Sequence, residues 1–101
     1  MRESGTLLTS VCTGALVYAD AGLLDGRAAT TYWSAFDELL SLGHDIEPRR
    51  DDRFVDVGEI VTAAGVSAGI DMALHLVGRL ASPDRAREVR RYIQYDPQPP
   101  Y

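Results

Sequence analysis

The chain has 101 residues, of which 46% are hydrophobic and 25% charged, a balance that fits one small globular domain and excludes intrinsic disorder. Ten arginines, no lysine and fifteen acids give a net charge of −5, spread evenly: four Arg against seven acids in residues 1–50, six against eight in residues 51–101. Neither half carries the basic footprint of a nucleic-acid binder. The apolar runs are too short for a transmembrane helix, Met1-Arg-Glu-Ser lacks the apolar core of a secretory signal, and a lone cysteine excludes a disulfide framework. The expectation is a cytoplasmic protein without membrane or nucleic-acid partners.

In chain order, Thr6–Val11 reads as a buried strand, since small and β-branched residues run together without alternation. Thr13–Asp20 is an Ala-rich helix that Gly22 is placed to end, and Asp25-Gly26 is a turn. Arg27–Thr31 reads as a second short strand. Trp33–Leu42 has the spacing of a helix with Trp33, Phe36, Leu39 and Leu40 on its apolar face and Gly43 as its stop. Residues 44–52, containing Pro48, read as loop. Arg53–Asp56 and Glu59–Thr62 flank Val57-Gly58 as a hairpin. A long helix over Ser67–Leu80 is expected to turn Ile70, Ala73, Leu74, Val77 and Leu80 to the core. Ser82 and Pro83 then cap and open a last helix to about Tyr92. The Pro-rich residues 95–101 are expected to be extended. Strands alternating with helices define an α/β fold around a largely parallel sheet, yet one with too few strands for a doubly wound sheet of ordinary size.

One place in this order points to chemistry. Ser10-Val11-Cys12-Thr13-Gly14 lies where a buried strand turns directly into a helix. A turn of that kind holds its central side chain in a strained backbone conformation above the carboxyl edge of the sheet. The helix that follows aims its first amides at the sulfur, favouring thiolate, and the Thr13 N–H is placed to stabilise an oxyanion. Spacing leaves the alternative open that Cys12 is a small buried hydrophobe.

The run VCTGALVYADAGLLDGRAATTYW (11–33) closely resembles the nucleophile elbow of the DJ-1/PfpI superfamily, in its isonitrile hydratase-like branch and the ligand-sensing domains of AraC-type regulators. RFVDVGEIVTAAGVSAGIDMAL (53–74) and YDPQPPY (95–101) resemble the same family's hairpin, following helix and tail, so three separated blocks agree in order. The resemblance implies the flavodoxin-like three-layer sandwich of the class I glutamine amidotransferase superfamily. It makes Cys12 the nucleophile and Thr13 its neighbour in the site, with no cofactor and no metal. Residues 1–101 then read as a partial domain that begins at the nucleophile strand, its front half absent.

Two departures from the family pattern stand out. Where the family's ATTHW block carries a His able to pair with the cysteine, this sequence has Ala29-Thr30-Thr31-Tyr32-Trp33, and a phenol with a pKa of ~10 is a poor base at neutral pH. The family's upstream carboxylate and oxyanion-hole glycine have no counterpart in residues 1–11; Glu3 precedes the nucleophile strand and is no substitute.

The remaining candidates read as structural. His44 beside Asp45 and His75 between Asp71 and Arg79 lack ligand-spaced companions, and a polar helix stripe accounts for His75. Gly65-Val66-Ser67-Ala68-Gly69 lacks the Lys and the spacing of a phosphate loop and suits close strand–helix packing beneath the elbow. Arg85, Arg87, Arg90 and Arg91 are interrupted by Asp84 and Glu88, as on a solvated helix face.

Two functions of different class follow. One is a cysteine-dependent hydratase turning an isonitrile into an N-substituted formamide, inactive in these residues alone. The other is a non-catalytic ligand-sensing or interaction domain. The expected partners are a small-molecule substrate, if the site is completed, and either a second copy or a front-half segment, because the strand near Leu7–Val11 lacks sheet neighbours.

Overall fold

In the computed structural model, residues 7–97 are described. Its organising element is β5 (Ile60–Ala63), buried along its whole length. On one side it pairs in parallel with β1 (Leu8–Ser10), with Leu8 opposite Ile60 and Ser10 opposite Thr62. On the other it pairs antiparallel with β4 (Phe54–Asp56), Val55 opposite Thr62, which closes the hairpin expected around Val57-Gly58. The sheet order is therefore β1-β5-β4.

Because side chains alternate along a strand, β5 feeds two cores. Ile60 joins a cluster with Ala15 and Ala19 of α1 (Ala15–Asp20), Leu24, Ala29, Ile46, and Phe36 and Leu39 of α2 (Phe36–Leu42). Val61 and Ala63 face the other way, onto Met72 of α3 (Ala68–Leu80), with Phe54 and Leu76 packed around them. Helices thus cover both faces of the sheet, the layering of a flavodoxin-like α/β/α sandwich. A small parallel pair stands apart from the main sheet: β2 (Ala28–Ala29) beside β3 (Glu47–Pro48). Pro48 reads as loop in the sequence because it cannot donate. Here the N–H groups of Glu47 and Arg49, its neighbours, bond to the carbonyls of Arg27 and Ala29, so the pairing never uses the missing donor. The strand expected over Arg27–Thr31 shortens to two residues.

Two expected helix faces are corrected. Trp33 lies outside the apolar stripe of α2 and is 75% exposed. It opens a 3₁₀ turn (Trp33–Ala35), whose tighter winding rotates it away from the line through the buried Phe36 and Leu39. On α3 the buried positions are Ala68 and Met72, with Leu76 next in the row; Ile70, Ala73 and Leu80 face outward. Apolar residues occur on nearly every side of this helix, so periodicity alone had two solutions. α4 (Pro83–Tyr92) approaches α3 at Gly78, where a Cβ would lie 3.8 Å from Ala86 Cβ.

α4 begins as expected: Ser82 Oγ accepts the Arg85 N–H at 3.0 Å, with Pro83 in the first turn. None of its residues is buried. Tyr95–Pro97 is neither helix nor strand and folds back rather than extending away. The Tyr95 N–H bonds to Arg90 O at 3.0 Å, and its hydroxyl donates to Asp71 Oδ1 at 2.7 Å, which holds the phenol above the ordinary tyrosine range. The remainder of the expected tail, 98–101, lies outside the described residues, as does Thr6 at the expected start of β1. No helix among the described residues is long and apolar enough to cross a membrane.

Candidate active site

The backbone at the end of β1 changes direction within two residues. Val11 is extended (φ −127°, ψ 153°), Cys12 has φ +49°, and a 3₁₀ turn over Cys12–Gly14 leads into α1. A non-glycine residue at positive φ is disfavoured, so the surroundings must hold it there. Three hydrogen bonds do so. The Cys12 N–H donates to Ala64 O at 2.9 Å, just past β5. The Cys12 carbonyl accepts both the Tyr32 N–H at 3.1 Å and the Thr31 hydroxyl at 2.6 Å. A fourth bond, from the Gly14 N–H to Val11 O at 2.8 Å, closes the turn.

The donors are themselves fixed. Thr31 and Thr30 are completely buried, and the Thr30 N–H donates to Thr62 Oγ1 at 3.0 Å in the middle of β5. Gly65 allows the Tyr32 ring to lie close: a Cβ there would fall 2.8 Å from Tyr32 Cδ1. At Gly14 a Cβ would come 3.3 Å from Ser10 Cβ, so the helix start sits tightly on β1. Of the glycines expected to pack strand and helix beneath the elbow, Gly69 of α3 lies against Val11 at the end of β1, whereas Gly65 meets the Tyr32 ring instead.

Cys12 is a free, partly exposed cysteine, and Thr13 is exposed at the tip of the turn. First-turn amides such as that of Thr13 have no acceptor within their own helix. Beside the elbow lies an open cleft of about 390 Å³. Its wall includes Thr31, Tyr32 and Ala64, the three residues bonded to the Cys12 main chain. Trp33 and Val66, 75% and 82% exposed, also line it. Among the described residues, no carboxylate or imidazole hydrogen-bonds to the Cys12 sulfur.

The histidines lie elsewhere. The His44 main chain closes the Asp25-Gly26 turn, its N–H donating to Asp25 Oδ1 at 2.9 Å. His75 is not held by its helical neighbours: its Nε2 meets Asp56 Oδ2 of β4 at 2.8 Å, and its ring lies 4.6 Å from that of Phe54. Arg79 joins the same carboxylate at 3.0 Å, whereas Asp71 turns to Arg53 and Tyr95. Among the described residues, no group of three or more His, Cys, Asp or Glu is arranged to hold a metal ion. Sequence reasoning missed Thr31 and Thr62 as parts of the elbow's support, because their role depends on β5 arriving beside residues 30–32. A threonine pair at the end of a short apolar strand is the only local signal for it.

The chain belongs to the DJ-1/PfpI family, whose model matches residues 1–79. It is 46% identical over 94 residues to the isonitrile hydratase of Pseudomonas putida, covering 93% of this chain and 40% of that protein. It is also 36% identical over 89 residues to the HTH-type transcriptional regulator CdhR of Pseudomonas aeruginosa, covering 88% of this chain and 26% of the regulator. The crystal structure of a THiJ/PfpI family protein from Pseudomonas syringae superposes with a TM-score of 0.82 at 38% identity, over 94% of this chain and 38% of that one. The chain therefore spans 40% or less of the length of each of these relatives.

Proposed function

We propose that this chain carries the nucleophile half of a cysteine-dependent hydratase that converts an isonitrile to an N-substituted formamide. The observation that supports this best is Cys12 itself, at φ +49° on a strand-to-helix turn held by three hydrogen bonds, in a chain 46% identical to an isonitrile hydratase. Backbone strain of this kind costs roughly 1–3 kcal/mol and persists only where surroundings over-determine it, typically at functional sites.

In this reading the Cys12 sulfur bonds to the terminal isonitrile carbon, and that carbon takes up a proton, giving a thioimidate. Water then adds to the same carbon. The C–S bond breaks with return of the electron pair to sulfur, and proton transfer to nitrogen leaves the formamide. The net change is one water added to one isonitrile. The Thr13 N–H faces the charge that develops as the adduct forms. Positioning the water requires a further group, because the thiol has no carboxylate or imidazole partner among the described residues. We therefore propose that the 101 residues alone do not turn over, and that they associate with a second copy or with a segment supplying the rest of the site. The protein would act in the cytoplasm on a small molecule without a bound cofactor or metal.

The experiment follows formamide formation from a simple isonitrile. It uses the chain alone and the chain joined to the amino-terminal segment of the Pseudomonas putida enzyme, each with a Cys12→Ser counterpart. Turnover is expected only in the joined protein with Cys12 present. Turnover of the joined protein that survives Cys12→Ser, or none in either form, overturns the reading. Turnover by the chain alone that vanishes with Cys12→Ser would mean that 101 residues build a complete site. A second reading, a ligand-sensing domain without chemistry, is favoured by Tyr32, whose ring is taken up in packing on Gly65, and by the likeness to CdhR. It predicts ligand binding that Cys12→Ser leaves intact.

A further inference from the structure

The cleft beside the elbow is lined by cationic side chains in a protein of net charge −5. Arg50 and Arg53 line it, and none of its lining residues is acidic. The two cations differ in how much of their hydrogen-bonding capacity is committed. Seven of the nine arginines among the described residues sit in ion pairs with carboxylates; Arg50 and Arg91 do not. Arg91 is on the exposed α4, whereas Arg50 is at the cleft. Its guanidinium carbon stands 4.9 Å from the centre of the buried Phe36 ring, a contact that orients the group without consuming any of its five N–H donors.

Arg53 is anchored from behind. Its Nε donates to Asp71, and its Nη2 donates to Ser67 Oγ at 2.9 Å. Asp71 is fixed in turn by the Tyr95 hydroxyl. Two of the five donors of Arg53 are thus used in holding it, with the Tyr95 side chain close by, and donors are left to meet a ligand. An oriented guanidinium that lacks a carboxylate partner, next to a second whose position is braced, is the arrangement that recognises a carboxylate. Trp33 and Val66 add an exposed apolar rim to the same cleft.

We propose that this cleft binds the carboxylate of a small ligand carrying an apolar group, with Arg50 as the main anion contact and Arg53 as the second. The proposal rests on the Cys12 reading above and narrows it: the substrate class becomes isonitriles that bear a carboxylate.

Two alkylating reagents of nearly equal shape test it on the chain as it stands. Iodoacetate is anionic and iodoacetamide neutral; with either one, the sulfur of Cys12 forms an S–C bond and iodide leaves with the C–I electrons. The measured quantity is the iodoacetate-to-iodoacetamide rate ratio at Cys12, normalised to the same ratio for glutathione, at low ionic strength. The expected value is roughly tenfold above unity, falling toward unity in salt. Arg50→Gln should remove most of this preference, Arg53→Gln a smaller part, and Arg50→Lys should retain it, which separates charge from folding. A normalised ratio of one in the unaltered chain overturns the proposal, as does a raised ratio that neither Gln variant changes. The iodoacetamide rate by itself reports on the nucleophile. A raised ratio on a sulfur no faster than glutathione toward iodoacetamide supports the anion site while counting against the catalytic reading.

Discussion

The elbow and the α3–α4 hairpin are fixed by opposite means. At the elbow, a few hydrogen bonds among buried groups hold a disfavoured backbone: Thr30, Thr31 and Thr62 are at most 1% exposed, and each is tied to the turn or to what supports it. On α4 no residue is buried, and the ion pairs Asp84–Arg87 and Arg85–Glu88 lie in solvent. A buried donor left without a partner bears the full cost of its desolvation, while an exposed ion pair contributes little because water competes for both charges. The elbow therefore sits where the structure is least tolerant of change, and the charge-rich end is free to vary.

Thr62→Val should expose this difference most. It keeps the shape of the side chain but leaves the buried Thr30 N–H without its acceptor, at an expected cost of about 2 kcal/mol. Urea unfolding would measure it, and a loss within 0.5 kcal/mol, roughly the effect of an ordinary surface substitution, would show that the elbow does not depend on this bond. Cys12→Gly compared with Cys12→Ala should go the other way. Glycine accepts φ +49° without strain, so the Gly variant should be more stable than the Ala variant by about 1 kcal/mol, despite its more flexible unfolded chain. Equal stability would mean that the turn carries no strain.

The hairpin has one stronger anchor, at its contact with β4. Burial raises the pKa of Asp56, but the His75 hydrogen bond, the Gly58 N–H and the Arg79 charge together outweigh burial and leave the carboxyl below its usual value. A carboxyl lowered in the folded state stabilises fully above its unfolded pKa of about 4, and this stabilisation fades as pH falls through the lower folded value. The urea midpoint should drop more steeply below pH 4 in the unaltered chain than in Asp56→Asn; parallel profiles would contradict the linkage. The smallest effect is expected on α4, where Arg85→Ala should cost less than about 0.5 kcal/mol beyond its change in helix propensity.

What was legible in the sequence follows the same division. The strand, the sharp turn at Cys12, the hairpin and the cap at Ser82 are local features, readable because their residue types act on their immediate neighbours. The pair of bonds onto the Cys12 carbonyl was not, since Thr31 and Tyr32 reach it across nineteen and twenty positions of chain. β3 was hidden by Pro48, whose missing donor matters only if the pairing register calls on it. The core face of α3 was undetermined because that helix is apolar on two sides, and only the packing of Val61, Ala63 and Phe54 on Met72 and Leu76 shows which side meets the sheet. The cleft arginines lie in segments that read as loop and hairpin, and what sets Arg50 apart is its place at the cleft with no carboxylate partner among the described residues, which no local pattern encodes.

The proposed chemistry requires Cys12 to be a nucleophile rather than a packing residue. The most direct measurement is its rate of alkylation by iodoacetamide at neutral pH in the folded chain, set against glutathione under the same conditions. A sulfur presented at the start of a helix on a strained turn should react faster than the free thiol, by roughly tenfold. A rate equal to or below that of glutathione would contradict the account and leave Cys12 as a small side chain filling the end of β1.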